Sequence, residues 1–125
     1  MSQTMNRASQ TYAEAARITM TPRELEASAL LKSAARLQIT ADNPSATLAA
    51  YDAALTHNRR LWTVIAASVN DPASHLPDDL KARVLTLANF IFNHTLAIAT
   101  APSPEAVACL VRINRELAAG LRHPA

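Results

Sequence analysis

A single glycine, Gly120, serves all 125 residues of this chain. Tight hairpins need backbone at positive φ, and phosphate-cradling loops need close backbone approach; glycine is the usual supplier of both. A chain this poor in glycine is no sheet protein and holds no Gly-rich phosphate loop. In glycine's place stand 27 alanines and 15 leucines, the strongest helix formers. The length suits one hydrophobic core and not two. The fold class is therefore all-α, a single-domain bundle of about four helices.

Prolines divide the bundle. Thr21-Pro22-Arg23-Glu24 reads as a helix start: Thr21 caps, Pro22 takes the tolerated first position and Glu24 completes a capping box. The spacing of Leu30, Leu31, Ala34 and Leu37 predicts a first helix to about Gln38, with Glu26, Lys32 and Arg36 outside. Asn43-Pro44 repeats the device and is expected to open the second helix. There Leu48, Tyr51, Leu55, Trp62, Ile65 and Val69 form a stripe with one gap, at Asn58, ending near Asn70-Asp71-Pro72.

Leu76-Pro77-Asp78-Asp79 opens the third helix, with two carboxylates where the helix dipole favours them. One stripe runs Leu80, Val84, Leu87, Ile91, His94, Ile98; a second runs Leu85, Ala88, Phe92, Leu96 beside it. A helix apolar over so much of its circumference is either central or carries a face for a partner. Ser103 caps the fourth helix, Leu110, Ile113 and Leu117 line one side of it, and Gly120 is expected as a left-handed stop. The organisation is an N-terminal arm over residues 1–20, where Tyr12, Ala16 and Met20 suggest a short extra helix, a bundle over 21–121 and a tail over 122–125.

Several function classes fall away. Cys109 has no internal partner for a disulfide and sits in Ala-Val-Ala-Cys-Leu-Val, the setting of a small buried hydrophobe. That six-residue run is the longest unbroken apolar stretch, far short of the roughly 20 residues a membrane span needs. The first twenty residues lack the apolar region of a secretory signal, so no membrane insertion and a cytoplasmic location are expected. Net charge is +2, the basic residues are scattered, and Arg59-Arg60 is the only adjacent pair. A specific nucleic-acid partner is not expected from such a pattern. His57, His75, His94 and His123 fall on separate elements without ligand spacing, and the adjacent Asp78 and Asp79 do not face each other on a helix. Neither a catalytic group, a metal site nor a cofactor is indicated, and the chain reads as no enzyme.

What remains are polar and apolar residues in unexpected places. Asn58, His94 and Asn114 each interrupt an apolar stripe. A buried amide or imidazole without partners costs about 1–3 kcal/mol, so these three either satisfy one another and fix helix register, or face a groove that holds a ligand peptide. Trp62 reads as core, or as a binding anchor; Arg59 and Arg60 read as a solvated face or as the rim of an interface, where Trp and Arg are enriched. Leu85, Phe92 and Leu96 make the surplus apolar stripe.

Pro22-Arg23-Glu24-Leu25-Glu26-Ala27, Asn58-Arg59-Arg60-Leu61-Trp62, Leu76-Pro77 followed by Leu80 through Leu87, His94, and the closing Leu110-Val111-Arg112-Ile113-Asn114-Arg115-Glu116-Leu117-Ala118-Ala119-Gly120-Leu121 together resemble the FlaF family of flagellar biosynthesis regulators. The likeness covers about residues 12 to 121. It implies a small cytosolic, all-helical, non-enzymatic protein of alphaproteobacteria that takes part in flagellin production and secretion. It further implies binding of flagellin as an export chaperone, in a circuit with the translational regulator FlbT. The family's motif positions fall here on Asn58, Arg59, Arg60, Trp62, His94, Ile113 and Asn114, and carry no catalytic residue.

The expected mechanism is helix-in-groove docking. An amphipathic terminal segment of flagellin would lie against Leu85, Phe92 and Leu96 and neighbours on the second or fourth helix, with Arg59 and Arg60 at the rim. The rivals are an RNA-level regulator of flagellin synthesis and a scaffolding partner of other flagellar factors.

Overall fold

Threonine and serine hydroxyls open three of the four helices among the described residues. The computed structural model describes residues 21–123. The arm over 1–20 and the last two residues of the tail lie outside the described residues.

Helix α1 is Pro22–Asp42. The Thr21 hydroxyl accepts from the Glu24 amide at 3.2 Å, and the Glu24 carboxylate accepts from the Thr21 amide at 3.4 Å. The capping box expected from the sequence is thus formed. The helix outruns Gln38 by a turn. Its last turn is tied by Gln38 Nε2 donating to Asp42 Oδ1 at 2.8 Å and Thr40 Oγ1 donating to the Arg36 carbonyl at 3.0 Å. It stops at Asn43 because Pro44 keeps its predecessor out of helical backbone.

Helix α2 is Leu48–Asn70, and its cap is Thr47, not Asn43. The Thr47 hydroxyl accepts from the Ala50 amide at 3.1 Å. The Asn43 side chain instead accepts from the Ser45 amide at 2.9 Å, making the turn that reverses the chain between α1 and α2. Pro44 is therefore a turn residue. Leu48, expected on the buried stripe, is 73% exposed at the helix's first position.

Helix α3 is Asp78–Thr100 and helix α4 is Pro104–Arg122. Asp78 and Asp79 occupy the first turn of α3, which has no side-chain cap. Ser103 caps α4, its hydroxyl accepting from the Ala106 amide at 3.1 Å. Gly120 is not a stop: it lies inside α4 with ordinary helical φ, and the helix runs on to Arg122.

The first and last of these helices, α1 and α4, make the most extensive contact, α2 joins α1 to α3, and α3 barely touches α4. Ala27 and Ala34 on α1 and Ala118 on α4 are all but fully buried, and such small side chains let backbones approach closely. Around them lie Leu30, Leu37, Trp62, Ile65, Ile91, Val107 and Leu110, each contributing about 1.5–3 kcal/mol by leaving water. On α3 the buried seam is Val84, Ala88, Ile91, Thr95 and Ile98, steps of four and three. It passes between the two stripes read from the sequence. Thr95 takes the seam position expected for His94, its hydroxyl donating to the Ile91 carbonyl. So α3 is a peripheral helix, apolar on the flank of Phe92 and Leu96 and mixed on the flank of Asn89, Phe90, Asn93 and His94.

Candidate functional site: a polar core network and two grooves along the second helix

Asn58 and Asn114 project from α2 and α4 into the centre of the bundle, where both are fully buried. Asn114 Nδ2 donates to Asn58 Oδ1 at 2.7 Å and to the Leu30 carbonyl of α1 at 3.3 Å. Its own Oδ1 accepts from the Trp62 indole at 2.9 Å. Asn58 Oδ1 also accepts from the hydroxyl of Ser33, a fully buried α1 residue, at 3.0 Å. One amide thus ties three helices together, as polar core groups can when they fix register. Among the described residues the Asn58 Nδ2 amide finds no partner. Ser33 was not singled out by its sequence context, although its place between Leu30 and Leu37 marks it.

The network reaches the surface at His57, whose Nδ1 lies 3.3 Å from the Ser33 hydroxyl. Burial, and then the positive charges of Arg36 and Lys32, hold this imidazole below its ordinary value of 6.5.

His94 is not part of the network. It is half-buried on the outer flank of α3 and stacks on Phe90, ring centroids 5.0 Å apart at 17°. Phe90 itself is 42% exposed. The expectation of a third buried register residue fails because the α3 seam runs through Thr95 one position along.

The residues proposed as a contact surface divide. Trp62 is wholly buried and makes its hydrogen bond inside the bundle, so it is a core residue and not a contact. Arg59, Phe92 and Leu96 do come together. With Thr63 and Ala66 they line an open groove of about 380 Å³ between α2 and α3. Leu96 is 68% exposed there, whereas Phe92 is half-buried against the core. Leu85 is half-buried and packs on the core rather than lining this groove. Thr63 and Ala66 were missed, being small residues outside any stripe. Arg60 points the other way, into a groove between α1 and α2. Cys109 is partly exposed on α4, not buried.

Among the described residues no group of three or more His, Cys, Asp or Glu is disposed to hold a metal ion. No helix among them is long and apolar enough to cross a membrane. The arrangement is a hydrogen-bonded core beside an open, mainly apolar groove. The family model described as "Flagellar protein FlaF" matches residues 8–121. No curated protein and no solved structure matches the chain.

Proposed function

The chain belongs to the FlaF family of flagellar proteins, and from that premise we propose that it binds newly made flagellin in the cytoplasm as an export chaperone, supporting secretion and filament assembly. It works by docking and not as an enzyme. An amphipathic segment of flagellin lies along the α2–α3 groove, its apolar face against Leu96 and Phe92, with Arg59 meeting a carboxylate at the rim. One observation carries this reading: α3 rests on α2 with a flank left open, where Leu96 is 68% exposed beside Arg59 and Phe92. Exposed apolar surface backed by a rigid frame is what a partner helix needs. FlbT is a further partner on this reading, acting in the same circuit.

Co-expression with flagellin followed by size-exclusion chromatography tests the proposal. The expected result is one-to-one co-elution that Leu96→Asp abolishes, with helical content unchanged because Leu96 lies largely in solvent. Phe92→Asp also breaks binding but disturbs the core, so Leu96→Asp is the decisive variant. Absence of co-elution, or co-elution indifferent to Leu96→Asp, overturns the reading. Tight binding to flagellin leader RNA with a steep salt dependence would favour the RNA-level rival instead.

A further inference from the structure

Arg59 and Arg60 are neighbours in sequence but lie in grooves on opposite flanks of α2. The groove holding Arg60, about 240 Å³, is lined by Ala29 and Lys32 from α1 and by His57, Arg60, Leu61 and Val64 from α2. Its floor is aliphatic, and Val64 stands 65% exposed in it. Its rim is cationic, and no lining residue is a carboxylate. Arg36, one turn from Lys32 on α1, belongs to the same electrostatic field, since both charges act on His57. An exposed valine on a helix flank is unremarkable alone; an apolar floor rimmed by Lys32 and Arg60, with Arg36 one turn beyond, is an amphipathic surface.

We propose that this α1–α2 groove docks an amphipathic helix of a partner protein, apolar along the stripe meeting Ala29, Leu61 and Val64 and acidic on the flanks meeting Lys32, Arg36 and Arg60. Apolar residues at helical spacing fill such a groove, and opposite rim charge sets orientation and speeds encounter. Rim charge selects the occupant: in a two-fold pair of this chain the same cations would face themselves. Nucleic acid would match the charge, but Ala29, Leu61 and Val64 are aliphatic, and His57, the lining's one ring, is half-buried against Ser33. The site is separate from the α2–α3 groove and does not depend on what occupies that one, so α2 can serve two partners at once.

The test uses the full chain and three labelled probes. They are a synthetic helical peptide with leucines along one stripe and glutamates on both flanks, the same peptide with lysines for the glutamates, and a single-stranded RNA oligonucleotide. The acidic peptide should bind, perturb the amide resonances of Leu61 and Val64, and lose affinity as salt rises. Lys32→Glu with Arg60→Glu should weaken it about ten-fold or more. Val64→Asp should weaken it too, and Leu96→Asp should leave it unchanged. Equal binding of the two peptides overturns the proposal, as does RNA displacing the acidic peptide. Loss of peptide affinity on Leu96→Asp, or perturbations confined to the α2–α3 groove, would place the docking there and overturn it as well. Failure of flagellin binding in the preceding experiment bears on the α2–α3 groove alone.

Discussion

The indole of Trp62 donates to Oδ1 of Asn114 at 2.9 Å, a bond between two fully buried side chains 52 residues apart. Asn114 spends its other end on Asn58 and on the Leu30 carbonyl. Removing it strands a donor on Trp62 in a place water cannot reach, and stranded buried groups are dearer than the bonds themselves.

Asn114→Ala is accordingly expected to destabilise the fold by about 2–4 kcal/mol, measured by urea denaturation. Asn58→Ala should cost less. It removes the acceptor for Ser33, but also an amide nitrogen with no partner, and Asn114 keeps the Leu30 carbonyl. The double variant should fall short of the sum, because the two residues share a bond. Equal costs for the two single variants would contradict the network as described.

Gly120→Ala should stabilise the protein by about 1 kcal/mol, raising Tm by roughly 4 °C. Gly120 has helical φ, and a Cβ there meets nothing within 4 Å among the described residues. A left-handed stop would give the opposite sign, so thermal unfolding distinguishes the two backbone conformations.

His57 should titrate below 6.5 by NMR, and its midpoint should rise in Arg36→Gln and Lys32→Gln. The consequence for stability has a definite sign. A histidine whose folded value lies below its unfolded value binds its proton more readily when unfolded. Stability is then full above pH 6.5 and declines as pH falls from there toward the folded value. His57→Gln should flatten that decline.

Thr47→Ala should cost about 1 kcal/mol through loss of the α2 cap, where an Ala50 amide would be left without its acceptor. Asn43→Ala should cost less, since it loosens a turn at the surface. Comparison of the two by chemical denaturation tests which residue starts α2.

Four helices were legible in the sequence because their starts carry a side-chain cap, a proline or first-turn acids, as at Thr21, Pro77 and Ser103. What was not legible came from local competition. Asn43 and Thr47 both suit a cap, and only the turn through Pro44 and Ser45 decides between them. Thr95 stands outside both apolar stripes of the sequence, yet its hydroxyl bonds the Ile91 carbonyl within its own helix, leaving a methyl for the core. Hence the apolar pattern of the sequence runs through His94, one residue before the seam position that Thr95 holds. The candidate surface was readable in part. Leu96, Phe92 and Arg59 share a groove, but adjacent residues on a helix diverge by about 100°, which sends Arg60 to another. Trp62 shares its stretch with both arginines and belongs to neither surface.

The most extensive contact among the described helices joins the first to the last, and the amide of Asn114 reaches the Leu30 carbonyl across 84 residues. On the ribosome, α1 therefore emerges long before the helix that covers it. Its seam of Ala27, Leu30, Ala34 and Leu37 stays open until α4 has been synthesised, and the core closes as a late, long-range event. A nascent chain stalled before residue 104 carries α1 to α3 and no finished core. Native-like protection of α1 from exchange should appear only in ribosome-bound chains long enough to expose Asn114.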